Sequence, residues 1–397
     1  MNNFEYYNPV KIIYGQGEVV RIGQAARDYG RKALIVSYDR VDFYGNLFER
    51  IHGQLKESGI DYVDCFIATA NPKISEARYG VDLGRKEQVD MVIGVGGGSA
   101  MDLSKVIAAG ILYPYEDIRK MIRFSHSKDD RVPPREALPM IMVPTLPATA
   151  SEMNPTAVIT DDGTQRKSYV WAPCCLYPKV SILDPELTAT LPAYQTACGG
   201  IDAISHVAEP FFFSDEATFG NIQLQDHMQI GVIKAIYENL PKVLKDPSDM
   251  QLRGLMQFAP TVGLNGWLIC GVQGWTPMHQ MGHVLSSHFG ATHGATLACM
   301  MLSWMRYFSG KEQNARFVEF ARLMFGTEDL LLAADLFEEY IKSVGVPTRI
   351  SAFGCTRDDL ETLTQGVADV SFGADGTLAS IPPITREEAY RIYELSL

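Results

Sequence analysis

Positive charge is in deficit in this chain. Its 35 Lys and Arg stand against 47 Asp and Glu, a formal net charge of −12. Without a basic run, a nucleic-acid or anionic-membrane partner is not expected, because binding phosphates takes several Lys or Arg side chains. Long hydrophobic runs are missing too: no stretch reaches the roughly 18 continuous apolar residues of a membrane span. The N-terminus lacks the basic-then-apolar order of a secretory signal. Cysteine is sparse and irregular, at 65, 174, 175, 198, 270, 299 and 355, with no CxxC. An odd, scattered set excludes a disulfide framework and fits free, mostly core thiols in a reducing cytoplasm.

What is present begins with alternation. The 397 residues are enough for two domains. In the first half, strand-like runs at 10–14, 33–38, 62–68, 91–95 and 140–144 alternate with helical patterns at 47–58 and 75–86. The run Ala33-Leu34-Ile35-Val36 has no polar face, as expected of a parallel strand covered on both sides. Past Leu191-Pro192 the pattern becomes helical, at 197–211, 223–239, 249–266, 297–308, 313–324, 331–344 and 386–395. The expectation is an α/β N-terminal domain, 1–192, with a parallel sheet flanked by helices. An all-α C-terminal domain, 193–397, follows it. A cleft between two such domains is a preferred small-molecule site.

Gly94-Val95-Gly96-Gly97-Gly98-Ser99 follows an apolar strand and runs into a helical segment, Ala100 to Lys105. Glycines let a pyrophosphate approach the backbone, and a helix N-terminus presents unpaired N–H groups to it. Ser99 is expected to cap that helix. Asp39, at the end of a strand, is placed to accept a ribose 2′-hydroxyl bond and to repel a 2′-phosphate, so the cofactor choice leans to NAD over NADP.

Four of the eight histidines, His279, His283, His288 and His293, fall within fifteen residues. Upstream, Asp202 and His206 are four apart, on one helical face behind Gly199-Gly200, a candidate helix start. Carboxylate and imidazole together suit Fe(II), Zn(II) or a similar divalent ion. His279 and His293 would be about 21 Å apart on one unbroken helix, so the chain is expected to break between them, at Ser286 to Gly290. Spacing leaves open whether the third ligand is His279 or His283.

Together these residues resemble the iron-containing (group III) alcohol dehydrogenases. The GGGSxxDxxK loop is found as Gly96 to Lys105, the Gly-x-Asp-Ala-x-x-His segment as Gly200 to His206, and His-x3-His-x9-His as His279, His283 and His293. The opening Asn8 to Gly17 also looks like the family's first strand. The resemblance implies Asp202, His206, His279 and His293 as metal ligands, with Fe(II) favoured and Zn(II) the other candidate. It implies His283 as a catalytic-site residue beside nicotinamide and substrate. It also implies a cofactor site that takes in Asp39, Gly96, Gly97, Gly98, Ser99, Asp102, Thr145 and Thr149. The Leu146-Pro147-Ala148-Thr149 loop looks like the butanol-dehydrogenase and aldehyde-reductase branch, which often carries a glycine/serine run where Tyr38-Asp39-Arg40-Val41 stands here.

The resemblance makes 1–192 an α/β dinucleotide-binding domain and 193–397 an all-α metal-binding domain, and the implied activity is metal-assisted hydride transfer between NAD(P)H and a small primary alcohol/aldehyde pair, in a cytoplasmic homodimer. The alternatives of similar fold are a glycerol-type polyol dehydrogenase and a dehydroquinate-synthase-like lyase.

Overall fold

The computed structural model describes residues 1–126, 128, 130–272 and 274–397. Among the described residues eight strands form: β1 Lys11–Tyr14, β2 Lys32–Tyr38, β3 Asp61–Ala68, β4 Met91–Gly96, β5 Met140–Pro144, β6 Thr156–Thr160, β7 Lys167–Trp171 and β8 Val180–Leu183. Six of them make one sheet in the order β1-β8-β5-β4-β2-β3, with every pairing parallel. Helices α1 Ile22–Ala26, α2 Leu47–Glu57, α3 Ile74–Glu87 and α4 Gly98–Leu112 cover it. The apolar run of β2 divides as a pleat requires. Ala33 and Ile35 pack with Ile51 and Leu55 of α2, while Leu34 and Val36 pack with Leu103 and Val106 of α4.

Because α2 and α4 leave the adjacent strands β2 and β4 toward opposite faces, a crevice opens at the carboxyl ends of those strands. In open α/β sheets that is where ligands bind. β6 and β7 form a separate antiparallel hairpin, which the alternation did not predict. Its signal was readable in Asp162-Gly163 between two β-prone runs.

Among the described residues the remainder is mostly helical: α5 Ala193–Phe212, α6 Glu216–Phe219, α7 Gln223–Lys245, α8 Met250–Leu264, α9 Pro277–Phe289, α10 His293–Phe308, α11 Ala315–Phe325, α12 Leu330–Ser343, α13 Leu360–Ser371 and α14 Arg386–Leu395. One apolar cluster runs through them, with Phe211, Phe212, Trp304, Phe317 and Phe337 at its centre. All seven cysteines are free, but Cys174 is exposed and Cys175 and Cys270 are only half-buried, so the core expectation fails for those three. Among the described residues no helix is long and apolar enough to cross a membrane.

Three local expectations change. Gly199 and Gly200 lie inside α5 and do not start it. They are glycines because of close approach: a Cβ would meet Pro147 O at 2.7 Å and Leu240 Cδ2 at 2.8 Å. Ser99 sits in the first turn of α4, whose cap position is Gly97. The break between the histidines falls at Gly290, in the left-handed conformation with φ 64°, while Ser286 to Phe289 stay helical.

Candidate metal centre and cofactor cleft

Helix α5 carries Asp202, His206 and Glu209 on one face, since positions three, four and seven apart align. Pro277 occupies the first turn of α9, where its missing N–H is harmless, and His279 follows two residues later. After the turn at Gly290, α10 opens on His293. Its next residue, Gly294, lies so close to α5 that a Cβ would meet Cys198 O at 2.0 Å. This contact sets the first turn of α10 directly on α5, one turn before Asp202.

Three imidazoles converge on one carboxylate oxygen. His206 Nε2 and His279 Nε2 are each 3.7 Å from Asp202 Oδ1, and His293 Nε2 is 3.8 Å from it. The ligand atoms of Asp202, His206 and His279 all lie within 4.8 Å of one another. Asp202 Oδ1 is buried and has no hydrogen-bond partner among the described residues. His206 Nε2 and His279 Nε2 face each other at 3.0 Å. An orphaned buried carboxylate oxygen ringed by nitrogen lone pairs fits a divalent cation with imidazole and carboxylate ligands. His283 stands beside this group, its ring centroid 4.9 Å from that of His293 and 6.3 Å from that of His279. His288 packs at the far end of α9 against Phe289.

Sequence reasoning missed Glu209. It is fully buried, accepts the main-chain N–H of His279 at 3.1 Å through Oε1, and bonds His279 Nδ1 through Oε2. A carboxylate on Nδ1 fixes the tautomer and leaves Nε2 free as a ligand. Burial opposes charge on His279, but the Glu209 and Asp202 carboxylates raise it to about 9. Burial, and then the neighbouring His279, push His206 down to about 3. Burial, and then Lys167, hold His283 and His293 well below the ordinary imidazole value. Lys167, also missed, reaches from β7 between the two halves and donates to Asn71 Oδ1 at 2.9 Å. Burial lowers it to about 8 against the pull of Asp202 and Asp102.

The glycine loop ends β4 at the N-terminus of α4. Thr145 extends from β5 beside it, with its N–H on Gly96 O at 2.9 Å. Thr149 flanks Gly98, where a Cβ would meet its Oγ1 at 2.7 Å. Such contacts explain why only glycine fits there. Asp102 lies deeper, with one oxygen accepting from Ser151 Oγ at 2.6 Å and the other from Val158 N–H at 2.9 Å. Burial raises its carboxyl, against the attraction of Lys105. Lys105 Nζ in turn donates to Asn154 O at 2.8 Å and to Thr156 O at 2.7 Å. These two residues brace the loop from beneath. Asp39 is exposed just past β2, its N–H on Ala68 O at 3.2 Å.

Comparison with known proteins follows the same outline. Residues 9–185 match the family described as iron-containing alcohol dehydrogenase, and residues 196–397 match its C-terminal family. The probable NADH-dependent butanol dehydrogenase 1 of Bacillus subtilis is 32% identical, with 100% of both chains covered. The NADPH-dependent aldehyde reductase YqhD of Escherichia coli is 29% identical, with 99% of both covered. Among solved structures, NADH-dependent butanol dehydrogenase A of Thermotoga maritima superposes with a TM-score of 0.91 at 32% identity, covering 100% of this chain and 99% of that one.

Proposed function

The chain belongs to the iron-containing alcohol dehydrogenase family, and from that premise we propose which residues carry its chemistry, which cofactor it prefers and what it acts on. It is an NAD(P)-dependent oxidoreductase of the alcohol dehydrogenase and aldehyde reductase type. The proposed substrates are small primary alcohols and their aldehydes, in line with the butanol dehydrogenases and aldehyde reductase it resembles.

The observation that carries this reading is the convergence of His206, His279 and His293 on the unpartnered Asp202 oxygen. Those four residues are the proposed ligands of a divalent ion, Fe(II) first and Zn(II) second. When bound, the ion supplies Lewis acidity to a substrate oxygen and the dihydronicotinamide supplies hydride. Glu209 keeps the His279 lone pair aimed at the ion. His283, buried and held neutral beside His293, is proposed to face nicotinamide and substrate and to relay a proton to the product oxygen.

Gly96, Gly97, Gly98 and Ser99 are proposed to receive the pyrophosphate, with Thr145 and Thr149 beside it and Asp102 bracing the loop. Asp39 supports a preference for NAD. The proposed division of labour, 1–192 for dinucleotide and 193–397 for metal, is supported by the sheet and the helical cluster each carrying one of these sites. A cytoplasmic homodimer is proposed, the location supported by the dispersed free cysteines.

The test is nicotinamide absorbance with anaerobically iron-loaded protein and butanal, using NADH and NADPH in parallel. Metal-dependent consumption that a chelator abolishes is expected. No consumption with either cofactor, across iron, zinc and manganese, would overturn the proposal.

A further inference from the structure

Resting on the dinucleotide reading of the glycine loop, we propose that Tyr38 sets the affinity for the cofactor. Its phenol occupies part of the pyrophosphate cradle and is displaced when the dinucleotide binds.

The position follows from register. β2 and β4 are parallel neighbours with Val36 opposite Gly94, so two residues further on Tyr38 comes level with Gly96. A Cβ on Gly96 would meet Tyr38 Cε2 at 3.1 Å and Tyr44 Oη at 3.5 Å. A Cβ on Gly97 would meet Tyr38 Oη at 3.0 Å. Tyr44 Oη bonds Thr145 Oγ1 at 3.1 Å on the other side of the loop. Phe43, half exposed, lies across both rings, with centroids 4.2 Å from Tyr44 and 6.4 Å from Tyr38.

Glycines in such a loop keep side chains away from N–H groups that a phosphate would use. Here the neighbouring strand refills that space with an aromatic ring, and its hydroxyl stands against Gly97. A phosphate oxygen is the stronger acceptor, because a charge-assisted bond is about twice as strong as a neutral one. Cofactor therefore wins the competition, and its net affinity is lowered by the contact it replaces. The consequence suits an enzyme that exchanges its cofactor every turnover: a side chain ready to refill the vacated cradle favours release.

The experiment is fluorescence titration of metal-loaded protein with NADH, without aldehyde, comparing wild type, Tyr38→Phe and Tyr38→Ala. Tyr38→Phe keeps the ring packing and removes the hydroxyl that stands against Gly97, so binding should tighten by roughly threefold. Tyr38→Ala empties the space as well and should tighten binding by about tenfold, on the same arithmetic. A tyrosine with a purely structural role would change the affinity in the opposite direction. Unchanged or weaker NADH binding by Tyr38→Phe, with wild type binding normally, would overturn the proposal and leave the cofactor reading intact. Failure of all three proteins to bind either NADH or NADPH would overturn the cofactor reading of the loop and this proposal together.

Discussion

Glu209 grips His279 at two points, the main-chain N–H through Oε1 and the ring Nδ1 through Oε2, and neither side chain is more than 3% exposed. The pair joins α5 to α9 and orients the imidazole that faces His206 and Asp202. Replacing Glu209 by Gln keeps the volume and removes the charge. Affinity for the metal should fall by about 10- to 100-fold, the usual effect of losing a partner behind a histidine ligand. Equilibrium competition with a chelator measures this. Unaltered affinity would reduce the pair to a packing contact.

His279 and His283 share a helix face, and the roles proposed for them differ. His279→Ala should lose bound metal and aldehyde reduction together. His283→Ala should retain the metal and turn over more slowly, by about 10²-fold or more if it relays a proton. Elemental analysis beside a steady-state assay separates the two. Metal loss in His283→Ala would bring that residue into the ligand set.

Asp39 stands exposed at the carboxyl end of β2, where a carboxylate disfavours a 2′-phosphate. Asp39→Ala should shift the NADPH-to-NADH ratio of kcat/KM toward NADPH by about tenfold, or ~1.4 kcal/mol. An unmoved ratio would place the discrimination elsewhere in the cleft.

Two glycines in helices should respond in opposite ways. At Gly294 a Cβ would meet the Cys198 backbone at 2.0 Å, so Gly294→Ala must push α10 off α5 and carry His293 away from Asp202. A loss of about 1–3 kcal/mol is expected from such overpacking, together with weaker metal retention. Gly231, exposed within α7, has nothing within 4 Å of a Cβ. Gly231→Ala should gain roughly 0.5–1 kcal/mol from helix propensity. Urea midpoints for both report the sign, and an equal response would contradict the packing described for α10.

Much of the site was legible because it depends on spacing along single elements. Asp202 and His206 one turn apart, His279 and His283 one turn apart, and glycines at the mouth of a buried strand are local patterns. The apolar run of β2 foretold a strand covered on both faces, and Leu34 and Ile35 do face opposite helices. Glu209 could have been read from the same face as Asp202 and His206, and the hairpin bearing Lys167 from Asp162-Gly163. Each is a weak signal alone, since carboxylates on helices and turn dipeptides are common.

The chain's own order determined the class of fold, the presence of a glycine loop at the end of a buried strand and the kinds of metal ligand available. The choice between His279 and His283 was beyond spacing, because both lie one turn apart on the same helix. Only the packing of α10 on α5, set by the glycine at 294, brings His293 to Asp202 and leaves His283 to one side. The ring of Tyr38 beside Gly97 is likewise a matter of tertiary structure. Residues 38 and 97 meet only through the register of two parallel strands, and no pattern along either one encodes that pairing.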